Sequence, residues 1–189
     1  MKFWKTSLIA ACAVIAFLPL SATAQQAAAP APNLEEALKQ AATYEFGQSR
    51  ECLSQVEDAV RASLSSPDAS KAVAARLAQF LGSEATLSSK QFVCRQLAII
   101  GNAESVPALA ALLAKDDTAD MARIALERIP ALEADTALLA ALPASAGKTK
   151  IGIINSLGER RTQGAIASLA ELAGGADPAF AAAAVSALG

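Results

Sequence analysis

Three pairs of adjacent acids, Glu35-Glu36, Glu57-Asp58 and Asp116-Asp117, are the side chains of this sequence best suited to acid–base work. General acid–base catalysis needs two carboxylates that converge on a cleft with separated pKa values. Acids adjacent on a helix point in different directions, and acids at turns commonly cap helices. The 189 residues include no histidine, which excludes a Ser-His-Asp triad and the usual zinc sites. There is no CxxC, no nucleophile elbow and no glycine-rich phosphate loop. The double glycine Gly174-Gly175 falls in an expected turn with no lysine after it to hold a phosphate. The expectation is a non-enzyme with no catalytic, cofactor-binding or metal-ligating residues and no cofactor.

Two further groups have chemical potential. Cys52 and Cys94 lie 42 residues apart, a spacing that says nothing about metal binding. They read as two buried thiols in a helical core, with a disulfide as the alternative in an exported protein. Glu159-Arg160-Arg161 is a charged knot in a turn. It suits either an acidic group of a partner or, the favoured reading, a helix C-terminus, where cations are stabilised.

The elements that must position these groups begin with an export signal. "MKFWKTSLIAACAVIAFLPLSATAQQ" has a positive start at Lys2 and Lys5, a short apolar core from Ser7 to Leu20, and Ala22-Thr23-Ala24 before the expected cut at Gln25. Residues 1–24 therefore read as a signal peptide, and the protein as exported, periplasmic or secreted. Cys12 would be discarded with it. An uncleaved anchor is the alternative. Cleavage removes two lysines and no acid, so the formal charge moves from −2 to −4. A mildly acidic chain lacks the basic footprint of a nucleic-acid binder. No second long apolar stretch follows, so no membrane span is expected after signal removal.

The composition is 53% hydrophobic but only 4% aromatic, and alanine dominates. Alanine is the strongest helix former, and the β-branched and aromatic runs of sheets are scarce. The fold class is all-α. After an Ala/Pro linker at 25–33, helical patterning starts at Leu34. Leu97, Leu126, Leu157 and Leu188 recur at spacings of 29, 31 and 31, and Leu109, Leu138 and Leu169 at 29 and 31. Each unit holds two apolar stretches of helical period joined by short polar or glycine-containing turns. The expected pairs are 34–45 with 48–64, 70–81 with 88–100, 104–114 with 118–129, 133–142 with 147–157, and 163–173 with 178–188. Such pairs bury their apolar faces only by stacking on neighbours, which is the logic of a helical solenoid. The more polar residues 34–69 read as an N-terminal cap. "PAFAAAAVSALG" carries no charge, so residues 70–189 read as a repeat array that continues beyond Gly189 or associates end to end through its last helix.

This pattern resembles HEAT repeats, in the short form of about thirty residues also found in phycobilisome-lyase-like proteins; the longer form runs to about 40–47. "KQFVCRQLAIIGNAESVPALAALL" and "MARIALERIP" resemble exported bacterial HEAT-repeat proteins in particular. The resemblance implies an α-α superhelix of about four to five helix pairs. It also implies that Asp117 and Arg123 form polar links between neighbouring repeats. In that family the second helices line a concave binding face. Carried over, this makes Gln91, Arg95, Asp120, Arg128, Lys148, Lys150 and Asn155, with Arg160 and Arg161 at the adjoining turn, the candidate protein-binding residues. The implied function is an exported, non-enzymatic scaffold for another protein. The alternatives are an accessory module of a larger exported enzyme and a tetrapyrrole lyase or chaperone.

Overall fold

The computed structural model describes residues 33–189. The signal segment 1–24, with Cys12, and the linker up to residue 32 lie outside the described residues. The described residues form ten α-helices: α1 (Leu34–Ala41), α2 (Glu51–Ser63), α3 (Pro67–Leu81), α4 (Leu87–Ile100), α5 (Val106–Leu113), α6 (Asp116–Arg128), α7 (Leu132–Ala141), α8 (Gly147–Glu159), α9 (Ile166–Ala173) and α10 (Pro178–Leu188). Single 3-10 turns at Ala103–Ser105 and Gln163–Ala165 lead into α5 and α9. No strand occurs among the described residues, and none of the helices is long and apolar enough to cross a membrane.

The architecture is an all-α superhelix of helical hairpins. Each odd-numbered helix packs on the even-numbered helix after it. Helices α4, α6, α8 and α10 form one row of successive neighbours, and α3, α5 and α7 form a second row. The leucine ladder explains this stacking. Leu97, Leu126, Leu157, Leu109 and Leu138 are wholly buried, and Leu169 nearly so. Each faces both its hairpin partner and the next unit, so removal from water is shared between neighbours.

Helix boundaries follow local chemistry. Ser66 caps α3 by accepting from the Ala69 N–H, and Pro67 occupies the first turn, where its missing donor costs nothing. The helix therefore starts three residues before the expected 70. α1 is shorter than expected, ending at Ala41 rather than 45. Its chain then turns so that the carbonyls of Ala41 and Tyr44 accept hydrogen bonds from the hydroxyls of Ser89 and Thr86, and Glu45 accepts from Ser88. The N-terminus of α4 thus holds the first hairpin by side-chain bonds as well as by apolar contact.

Candidate functional site

The exposed surface of the even-numbered helices carries most of the expected binding residues. Between α4 and α6 lies a crevice of about 190 Å³, lined by Gln91, Cys94, Arg95, Asp117, Asp120, Met121 and Ile124. Three of the candidates, Gln91, Arg95 and Asp120, meet there. Arg95, Arg128, Lys148 and Asn155 are exposed. Asn155 and Arg161 line a second, larger cavity of about 730 Å³ between the α8–α9 turn and the end of α10. Lys150 points elsewhere, its ammonium 5.3 Å from the Phe180 ring centroid, a cation–π contact from α8 to α10.

Arg160 corrects the expectation of a surface contact. Its side chain is only 10% exposed and reaches into the preceding repeat. The guanidinium donates to the carbonyls of Leu126, Glu127, Ile129 and Ala131 at 2.7–3.0 Å and to Asp135 Oδ1 at 2.7 Å. The cause lies in α6. Pro130 steers Ile129 into an extended conformation, so α6 stops at Arg128, closed only by the Ile129 N–H on the Leu126 carbonyl at 3.3 Å. Arg160 adds its donors to these last carbonyls and complements the negative end of that helix. The charged knot is thus a helix-end feature, as favoured, but it serves the end of α6 and not only that of α8.

Asp135 completes this clamp, accepting also from Thr162 Oγ1 at 2.6 Å. Burial pushes its carboxyl pKa up. The hydrogen bonds from Arg160 and Thr162, with the Arg160 charge, outweigh that and hold it below the usual carboxylate range.

Arg161 follows in the left-handed region, with φ of 52°. Its N–H donates to the Gly158 carbonyl at 2.8 Å, and that of Thr162 donates to Leu157 at 3.0 Å. This is a Schellman motif with arginine where glycine is usual. It closes α8 by backbone bonds alone.

The Asp117–Arg123 link is not formed. Arg123 instead pairs within its own helix with Asp120 at 2.8 Å and Glu127 at 3.1 Å, while Asp117 stays in the crevice. The link to the next repeat runs from Arg123 to Ser156 Oγ at 2.8 Å, and from Ser156 to Glu127 Oε2 at 2.6 Å. Nothing in the family pattern marks Ser156 or Glu127. The available signal is their place in the ladder, immediately before Leu157 and after Leu126, where neighbouring repeats carry alanine or glycine: Ala125 and Ala187, Ala98 and Gly158.

Cys52 and Cys94 are both free and buried, the first of the two readings. Burial pushes the Cys94 thiol up to about 12, so it is an inert floor to the crevice.

At the last hairpin, Val185 is 60% and Leu188 43% exposed. Their counterparts one repeat earlier, Ile154 and Leu157, are wholly buried under α10. Comparison with protein-family models, with curated proteins and with solved structures finds no match for this chain.

Proposed function

We propose that this protein is an exported, non-enzymatic helical-repeat scaffold that binds another protein along the exposed face of α4, α6 and α8. The observation that carries this reading is the α4–α6 crevice. It joins Gln91, Arg95 and Asp120 to Ile124, an apolar side chain 40% exposed, and Ile99, 61% exposed, follows Arg95 by one turn on α4. Apolar anchors ringed by polar groups are the usual composition of a protein contact. Export rests on the charged start, apolar core and Ala22-Thr23-Ala24 of the first 24 residues.

The test is native co-purification from the producing cell, with cross-linking and mass spectrometry. A stoichiometric partner cross-linked at Lys148 supports the reading, because Lys148 is exposed on α8, about two turns before Asn155. A partner cross-linked only at Lys39, Lys71 or Lys115 places the contact elsewhere and overturns it.

A second reading of the partner, another copy of this chain, is favoured by the exposed α10 face. Sedimentation of the wild type against Val185→Glu decides it: a concentration-dependent dimer abolished by the charge supports it, and a monomer at all concentrations removes it.

A further inference from the structure

The α4–α6 crevice carries opposite charges toward its two ends. The two helices lie side by side in register. The 29-residue step from Leu97 to Leu126 also takes the first residue of α4, Leu87, to the first residue of α6, Asp116. At the other end, a Cβ on Gly101, just past α4, would come within 2.6 Å of Ile129 Cδ1, just past α6. The same step sets Arg95 level with Ile124, four residues after Asp120 and seven after Asp117. All four side chains line the one crevice. Four to seven residues of helix rise about 6–10.5 Å, so the carboxylates enter the slot toward one end and the guanidinium toward the other.

These charges face one slot without meeting. Among the described residues Arg95 and Asp117 form no ion pair, although seven other ion pairs occur there. Asp120 is already held at Oδ1 by Arg123. Asp117 and Arg95 are therefore one anion and one cation open to a ligand. Between them the lining is apolar: Met121, the buried Cys94, and Ile124, 40% exposed. The volume of about 190 Å³ is below the about 300–1,000 Å³ of sites for drug-sized ligands.

We propose that this crevice binds a free apolar α-amino acid of about leucine's size as its zwitterion, with the ammonium on Asp117 and the carboxylate on Arg95. The inference goes beyond the scaffold reading, adding a small ligand inside the crevice whose surroundings that reading uses. Both ends of the slot select the ligand's charge. A purely acidic ligand meets Asp117 and a purely basic one meets Arg95, each at a like-charge cost, whereas a zwitterion satisfies both. The span fits as well. The ammonium and carboxylate of an amino acid lie about 3 Å apart. A charged hydrogen bond of about 2.8 Å at each end gives a bridge of about 8–9 Å, inside the separation set by the helix register. Arginine's planar fork suits the carboxylate. The ligand's side chain gains apolar contact on Met121 and Ile124, removing exposed surface of the latter from water.

The probes are L-leucine, N-acetyl-leucine, which lacks the cation, and leucinamide, which lacks the anion. Each is titrated into the whole chain and into Arg95→Gln and Asp117→Asn, with binding and location read from the methyl NMR signals of Met121 and Ile124. Thermal melts check that both variants fold as the wild type does. The expected result is saturable binding of leucine with shifts at those two methyls. Acetylation, amidation and each substitution should weaken it about tenfold or more. Acetylation should cost little further in Asp117→Asn, and amidation little further in Arg95→Gln, because each pair removes the same contact. No saturable shift up to the solubility of leucine, equal binding of the capped forms, or shifts confined to other methyls overturns the proposal. The cross-link map of a co-purified partner does not involve leucine, so the scaffold reading and the ligand fail or stand separately.

Discussion

Ser156 on α8 donates a 2.6 Å hydrogen bond to Glu127 on α6 and receives one of 2.8 Å from Arg123 of that same helix. One repeat on, the equivalent residues are Gly158 and Ala187, and a Cβ placed on Gly158 would come within 2.6 Å of the Ala187 Cβ. The same point of the ladder is thus a polar junction between α6 and α8 and a bare helix–helix approach between α8 and α10. The polar version needs room. A Cβ on Gly152 would lie 2.7 Å from Arg123 Nε, so glycine at 152 is what lets the arginine cross over α8.

Gly152→Ala is expected to displace Arg123 and loosen its bonds to Ser156 and Glu127, costing about 1–3 kcal/mol. Urea denaturation measures this. The same change in an Arg123→Ala background should cost much less, since the clash and the network are then both gone. Equal costs in the two backgrounds would mean that Gly152 does not act through Arg123.

The Arg160 clamp predicts a larger loss. Arg160→Ala removes five hydrogen bonds from the end of α6, Ala131 and Asp135, and leaves the Asp135 carboxylate with Thr162 alone and no cation, at a cost of about 3–5 kcal/mol. Arg160→Lys should recover little, because one ammonium cannot reach four carbonyls and a carboxylate as the planar fork does.

Acidification gives an independent measure of the same clamp. The Asp135 pKa is depressed in the folded protein relative to its ordinary value of 3.8. The stability it contributes is therefore present above that value and lost as the pH falls through the folded pKa. Asp135→Asn should melt lower than wild type at pH 6–7, with the gap narrowing below about pH 4. A gap that is constant across the range would contradict the charged clamp.

Leu126→Ala removes a wholly buried rung and is expected to cost about 2–5 kcal/mol. In a stacked array the loss spreads to units that depend on their neighbours. Hydrogen exchange should therefore show α8 and α10 losing protection along with α6. A melting transition unchanged from wild type would remove Leu126 from the core.

Arg161→Gly should be neutral to stabilising, by up to about 1 kcal/mol, because only glycine takes a positive φ without a Cβ penalty. Thermal melts read the change. A clear loss of stability would show that the Arg161 side chain makes a contact worth more than its backbone strain.

Much of this was legible in the sequence. The 29- and 31-residue leucine series placed five helix pairs and the core ladder, because burial repeats wherever identical units stack. Ser66-Pro67 moved one boundary by ordinary capping chemistry, and Gly101 ended α4 near where the turn was expected. The crevice was half legible. Gln91, Arg95 and Asp120 stand out as polar residues on the second helices, which the HEAT resemblance makes the binding face, but Ile99 and Ile124 look like core residues until burial is known.

The sequence by itself determined the period, the helices and the buried leucines, since these depend on short-range spacing and on which side chains leave water. Tertiary structure decided the rest. Whether Arg160 met solvent or the carbonyls of α6 depended on Pro130, thirty residues away, ending that helix at Arg128. Whether Arg123 paired with Asp117 or with Ser156 depended on the bare backbone at Gly152. Partners brought together across a repeat junction answer to the geometry of the stack, and no local pattern encodes them.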